Sequence, residues 1–140
     1  TSREGREQKE PREMGDRGIR QASTTSAATV AQIQCMGSAV ATREASLIAG
    51  MSAFNTSVNT AYSTRATDLA TAYSKTTGGE VRAGVSVAWK SFNTSTRTAQ
   101  KTWRSAKDGA WKAFKSAAKL CKGSESVSDT ANSVTEMSGE

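Results

Sequence analysis

A spacing of eleven residues between large apolar side chains constrains this chain more than any other feature. Residues that follow one another at this spacing form a set that we call a column. The first half of the chain contains two columns: the first is Leu47, Val58 and Leu69, and the second is Met51, Tyr62 and Tyr73. The second half also contains two columns. The first is Val81, Phe92, Trp103 and Phe114, and the second is Trp89, Gln100 and Trp111, in which Gln100 is polar. Eleven residues in three turns is about 3.67 per turn, close to the period of an α-helix and far from the alternation of a strand. The repeat therefore predicts long helices with apolar seams nearly parallel to their axes.

The repeat is interrupted once, and this divides the helical region into two helices, from about residue 24 to 76 and from about 80 to 122. Thr76, Thr77, Gly78 and Gly79 lie between them, and a glycine here can end the first helix and let the chain reverse. At about 1.5 Å per residue the helices are roughly 80 Å and 65 Å long. The predicted fold is all-α, a long antiparallel two-helix hairpin over residues 24–122 with its turn at 77–79.

Charged segments flank the predicted hairpin. The arm over residues 1–23 carries a basic residue at every third position from Arg3 to Arg12, each followed by Glu, which fits an extended polyproline-II-like segment. The tail over residues 123–140 is rich in Ser and has four acidic residues and no basic one. Segments with so few apolar residues bury little surface, so both are expected to be flexible or extended.

The two cysteines test the hairpin, because Cys35 and Cys121 lie equally far from Gly78, 43 residues on each side. In an antiparallel pair that reverses at this glycine, the two thiols face each other near the open end. We therefore predict a disulfide between them, which places the protein in an oxidising compartment. The chain begins at Thr1, and we expect it to be a processed product from which a signal peptide has been removed, at the cell surface or outside the cell.

The predicted core is thin, because 22 of the apolar residues are Ala and only 17 of 140 residues are Leu, Ile, Val or Phe. Two helices bury three tryptophans poorly, so we expect a second copy of the protein to cover the aromatic side chains. The predicted assembly interface consists of Trp89, Phe92, Trp103, Trp111, Phe114, Leu47, Met51, Phe54, Val58, Tyr62, Leu69 and Tyr73.

Positive charge is concentrated on the second helix, where residues 80–123 hold ten basic and two acidic residues. The predicted basic face consists of Arg97, Lys101, Arg104, Lys107, Lys112, Lys115, Lys119 and Lys122. Three partners fit it: the acidic tail of a neighbouring copy, nucleic acid, or an anionic membrane surface. In a fourth interpretation, the basic face contacts only water and keeps the helical hairpin soluble.

Groups for catalysis are scarce in this sequence. It has no histidine, and its carboxylates do not form a pair at catalytic spacing; Asp108, for example, is spaced to pair with Lys112 on a helix surface. We therefore expect neither an enzyme nor a bound cofactor or metal. The motif Asn-x-Ser occurs at Asn55 and Asn93, which offers two sites for glycans.

Three segments carry a resemblance to a group of proteins: residues 41–45 (ATREA), 98–106 (TAQKTWRSA) and 110–117 (AWKAFKSA). The region from Cys35 to Cys121 resembles small secreted two-cysteine, Ala-, Lys- and Trp-rich helical proteins of candidate phyla radiation bacteria. The resemblance implies export and a disulfide, and it implies no specific activity. The sequence thus favours an exported subunit that assembles into an extracellular filament or pilus-like fibre. A nucleic-acid-binding helical protein and a membrane-surface amphipathic protein are the alternatives.

Overall fold

Two long antiparallel helices form most of the protein. The structure, a computed structural model, describes residues 27–138. Helix α1 spans Val30–Tyr73 and helix α2 spans Gly78–Leu120. Two 3-10 turns, Glu125–Val127 and Thr130–Asn132, and a short helix α3, Ser133–Ser138, follow. The predicted all-α hairpin is confirmed, and the charged arm over residues 1–23 lies outside the described residues.

Helix α1 begins at Val30, several residues after the predicted start near 24, because Thr29 caps it. The Thr29 hydroxyl accepts a hydrogen bond from the backbone N–H of Gln32 at 3.2 Å, and the Gln32 side chain accepts one from the backbone N–H of Thr29 at 2.8 Å. This reciprocal pair is a capping box, and it satisfies two N–H groups that a helix start would otherwise leave unpaired. The sequence Thr-Val-Ala-Gln carried this signal.

The turn lies slightly earlier than residues 77–79, because the two glycines open α2 instead of ending α1. Among residues 27–138, Gly123 alone has a positive φ, so neither Gly78 nor Gly79 is a left-handed cap. The Thr77 hydroxyl caps α2 by accepting from the backbone N–H of Glu80 at 3.3 Å. The carboxylate of Glu80 lies in the first turn, where the helix dipole favours negative charge.

The eleven-residue repeat sets the contact between α1 and α2. Buried and half-buried residues recur every three or four positions on both helices. In each eleven-residue repeat one seam position holds a small residue, buried everywhere except at the half-buried Gly50. These residues are Ala39, Gly50, Ala61 and Ala72 on α1, Ala88, Ala99 and Ala110 on α2, and Cys121 directly after α2. Small residues at these positions let the helices approach closely. A Cβ built on Gly50 would lie 2.9 Å from the ring of Trp103.

The register of the hairpin is the one that the cysteines predicted. Cys35 and Cys121 form a disulfide, with their Cα atoms 5.7 Å apart. Near the turn, Ala72 faces Gly84, and these two residues are again equally far from Gly78. The helices therefore stay in one register from the disulfide to the turn.

The close approach at Gly84 gives a prediction with a matched control. A Cβ at Gly84 would lie 2.7 Å from the Cβ of Ala72, so Gly84→Ala should destabilise the fold by about 1 to 3 kcal/mol through overpacking. A Cβ at Gly109, also inside α2, meets nothing within 4 Å, and Gly109→Ala should stabilise the helix by about 0.5 to 1 kcal/mol. Urea unfolding of both variants tests this. Equal stabilisation by the two alanines would contradict the close approach.

The acidic tail departs from the expected flexible or extended state over residues 124–138, which we call the C-terminal segment. It folds back onto the open end of the hairpin. The Ser124 hydroxyl is buried and donates to the carbonyl of Gln32 at 3.1 Å, and the Gln32 side chain donates to the carbonyl of Lys122 at 3.1 Å. Met137 packs against a core cluster formed by Met36, Ala39, Trp111, Phe114 and Cys121. Contacts with the hairpin therefore supply the apolar surface that this segment lacks by itself.

Candidate functional site

A buried arginine organises the open end of the hairpin. Arg43 lies on α1 with 4% of its surface exposed, and its guanidinium carbon is 4.2 Å from the centroid of the Trp111 ring and 4.6 Å from that of Phe114. These two rings meet edge to face, with centroids 5.6 Å apart. We call Arg43, Trp111 and Phe114 the Arg43 cluster. A guanidinium against aromatic rings gains most when it is shielded from water, as it is here.

The C-terminal segment completes the Arg43 cluster with a carboxylate. Arg43 donates from Nη1 and Nη2 to the two oxygens of Asp129 at 2.7 and 2.8 Å, a two-pronged arrangement that fixes the orientation of both groups. It also donates from Nη2 to Glu44 at 2.7 Å. The hydrogen bonds to Asp129 raise the pKa of Arg43 above its usual range, and those from Arg43 lower the pKa of Asp129. The charge of the buried arginine is thereby compensated.

Acidification should release the C-terminal segment, because the pKa of Asp129 is lower in the folded chain than its ordinary value of 3.8. The stabilisation is complete above the unfolded pKa and is lost as the pH falls through the folded pKa. We expect a red shift of Trp111 fluorescence below about pH 4, within the range in which free carboxylates titrate. The Asp129→Asn variant should lack most of this shift, and an undiminished shift would assign it to other carboxylates.

A second cluster of the same kind lies closer to the turn. The guanidinium carbon of Arg65 is 4.5 Å from the centroid of the Trp89 ring, 4.3 Å from that of Phe92 and 4.7 Å from that of Tyr62. Trp89 and Phe92 also meet edge to face, with centroids 5.9 Å apart. We call Tyr62, Arg65, Trp89 and Phe92 the Arg65 cluster. Among residues 27–138, no carboxylate pairs with Arg65.

The Arg65 cluster is open to solvent, unlike the Arg43 cluster. Trp89 is 44% exposed and Tyr62 is 52% exposed, whereas Trp111 is 4% exposed. Met51 and Tyr73, one repeat before and after Tyr62, are also exposed on this face of α1. Exposed apolar side chains therefore recur along one side of the hairpin, and we call Met51, Tyr62, Tyr73 and Trp89 the uncovered apolar strip.

The predicted assembly interface divides into three groups by burial. Leu47, Trp111 and Phe114 are buried within the chain, so the expectation that a second copy covers them is corrected: the partner helix, and at Trp111 the C-terminal segment, cover them. The half-buried group consists of Phe54, Val58, Leu69, Phe92 and Trp103. Met51, Tyr62, Tyr73 and Trp89 are exposed and remain accessible to a partner.

The predicted basic face needs one correction. Lys107 is buried, with its ammonium 5.4 Å from the centroid of the Trp103 ring, because it occupies a position of the seam between the helices. Lys112 pairs with Asp108 at 2.8 Å, as the spacing predicted, and this raises the pKa of Lys112. The remaining residues are exposed, and they are Arg97, Lys101, Arg104, Lys115, Lys119 and Lys122.

Arg43 and Arg65 are the residues that sequence reasoning missed as members of a site. With Phe54 they form a third column of the eleven-residue repeat, at seam positions of α1. The available signal was that Arg43 and Arg65 share the eleven-residue spacing with Phe54, because an arginine in the seam needs an aromatic or acidic neighbour. The sequence did not show which neighbour that was.

Comparisons of the chain with models of protein families, with curated proteins and with solved structures find no match. Over residues 27–138, no helix is both long and apolar enough to cross a membrane. In the same range, no three acidic or Cys side chains gather as ligands for a metal ion. The geometry of the two arginine clusters is thus the basis for a functional hypothesis.

Proposed function

We propose that this protein is an exported structural subunit that assembles with copies of itself into an extracellular filament or pilus-like fibre. The observation that carries the proposal is the uncovered apolar strip, which includes Tyr62 and Trp89 at half exposure. Contiguous exposed apolar surface on a small protein is typical of protein–protein interfaces, and Tyr, Trp and Arg are enriched where binding energy concentrates. Because exposed apolar side chains recur along the length of the hairpin, many copies can pack against one another through the same residues.

The disulfide supports both the extracellular setting and the mechanical role. Disulfides persist in oxidising compartments, and the link between Cys35 and Cys121 closes the open end of the hairpin. A closed hairpin cannot splay when neighbours pull on its two helices. Contacts that join different surfaces of successive copies do not close into a ring unless the geometry requires it, so they generate filaments.

Electron microscopy and sedimentation velocity of the oxidised protein over a range of concentrations test the proposal. We expect filaments or large oligomers, and we expect Tyr62→Ser combined with Trp89→Ser to shift the material to monomer with its helicity unchanged. Leu120→Ser is the matched control, because Leu120 is 81% exposed and lines a separate groove with Thr42 and Ala117. Monomers at all concentrations in the parent protein would refute the proposal.

A nucleic-acid-binding function is the second candidate, and the exposed face of α2 favours it. Basic residues recur along this face at helical spacing over about 44 Å, and we call them the basic stripe: Lys90, Arg97, Lys101, Arg104, Lys112, Lys115 and Lys119. Such a row can follow a phosphate backbone. The membrane-surface alternative is supported least, because Trp103, Trp111 and Phe114 on α2 are half-buried or buried and so do not form a free apolar face.

A salt titration separates the second candidate from the first. If the basic stripe contacts phosphates, affinity for a duplex DNA should fall steeply with salt, and a change of Lys101, Lys115 and Lys119 to Gln should reduce the slope by roughly three. Filament formation should survive this change if assembly uses the apolar strip. Unmeasurable DNA binding at low salt would remove the second candidate.

A further inference from the structure

The Arg65 cluster repeats the Arg43 cluster at a distance of two eleven-residue repeats. Arg65 lies 22 residues after Arg43 on α1, while Trp89 and Phe92 lie 22 residues before Trp111 and Phe114 on α2. In both clusters the guanidinium lies within 5 Å of both ring centroids, and the two rings meet edge to face. At 1.5 Å per residue the two clusters are about 33 Å apart along the hairpin.

The two clusters differ in what covers them. Asp129 pairs with Arg43, and Met137 packs on the core cluster that contains Trp111. At the Arg65 cluster, within residues 27–138, no carboxylate forms an ion pair with the guanidinium. The residue after Arg65 is Ala66, whereas the residue after Arg43 is Glu44. The Arg65 cluster thus has the arginine and the two rings of the Arg43 cluster, but no acidic partner from the described part of the chain.

We propose that the Arg65 cluster is a second docking site for the C-terminal segment, and that its occupant is the C-terminal segment of a second copy. In this arrangement the carboxylate of Asp129 from one copy pairs with Arg65 of another. Residues beyond Asp129 cover Trp89 and Tyr62. The inference rests on the proposed function, since it names the contact by which one subunit holds the next.

Charge and composition select this occupant. The C-terminal segment holds Glu125, Asp129 and Glu136 and no basic residue, which complements an arginine without an acidic partner. The same segment already fits the same geometry at the Arg43 cluster. The contact that the two sites share is the pairing of Asp129 with an arginine packed on two aromatic rings.

The number of sites is compatible with chains of subunits. Each copy has two clusters and one C-terminal segment, so a segment that leaves its own Arg43 cluster meets an open Arg65 cluster on any neighbour. The vacated Arg43 cluster can then receive a segment from a third copy. Assembly by this route should respond to protein concentration.

A synthetic peptide of residues 122–138 tests the inference on the full-length, oxidised protein. With a fluorescent label on the peptide, polarisation should show saturable binding with one peptide per chain. Arg65→Gln in the protein, or Asp129→Asn in the peptide, should weaken binding at least tenfold. Trp89→Ser should weaken it as well, and circular dichroism confirms that each variant folds. Arg97→Gln is the matched control, because Arg97 is exposed on α2 and belongs to neither cluster, and it should leave binding at the Arg65 cluster intact.

Three results would overturn the inference: no binding of the peptide, binding that Arg65→Gln leaves unchanged, or tighter binding of a peptide of residues 1–23. The last result would assign the Arg65 cluster to the charged arm. Filaments without peptide binding would refute this docking and leave the proposed function standing. Peptide binding at Arg65 without filaments under any condition would support the docking site and refute the filament.

Discussion

Replacement of Cys35 and Cys121 together by Ser is expected to lower the free energy of unfolding by about 4 to 5 kcal/mol. The disulfide joins residues 86 positions apart, and in the chain-entropy model the loss of disorder in the unfolded chain grows with the logarithm of that separation. The loss should be a large fraction of the total stability, because the apolar core is thin. It should also be concentrated at the open end of the hairpin, where Cys121 packs in the core cluster with Trp111 and Phe114.

Urea unfolding, followed by circular dichroism for the helices and by tryptophan fluorescence for the open end, measures this effect. Reduction of the parent protein should lower the midpoint about as much as the double replacement does. The reduced double variant is the control, since reductant should not destabilise it further. Equal midpoints for oxidised and reduced parent protein would mean that helix packing alone holds the open end together.

Arg43→Gln is the second change with a large expected effect, a loss of about 2 to 4 kcal/mol. The substitution removes the buried guanidinium from two aromatic rings and breaks its ion pair with Asp129, whose side chain is 36% exposed. Arg65→Gln removes a guanidinium from a similar set of rings, but without a carboxylate and with more solvent. We expect it to cost about 0.5 to 1 kcal/mol.

The comparison of these two arginines measures what the C-terminal segment contributes. A double-mutant cycle between Arg43→Gln and Asp129→Asn should give a coupling free energy of about 1 to 3 kcal/mol. The same cycle between Arg65→Gln and Asp129→Asn, in dilute monomer, should give a value near zero. If Arg65→Gln destabilised the monomer as much as Arg43→Gln does, burial by the C-terminal segment would not explain the difference.

Much of the hairpin was predictable because helix period, capping and turn signals are local. The columns containing Leu47 and Phe92 predicted which side chains lie between the two helices. The equal spacing of Cys35 and Cys121 from Gly78 predicted both the reversal of the chain and the disulfide. The start of α1 was missed although Thr29 and Gln32 carried its signal. Composition predicted a flexible or extended tail, but the C-terminal segment packs on the hairpin. Its contacts are with residues far away in the sequence, which composition does not show.

The amino-acid sequence alone establishes two helices, their register and the disulfide that closes them, because an eleven-residue period and a symmetric pair of cysteines leave little freedom in an antiparallel pair. Tertiary structure decides which of two similar arginine clusters is covered. Arg43 and Asp129 are 86 residues apart in the chain, and no local rule brings them together. A buried charge is stable only with a partner, and that partner comes from the fold. The same fold leaves Tyr62 and Trp89 about half exposed, and this turn-proximal half of the hairpin is the surface that we propose for assembly.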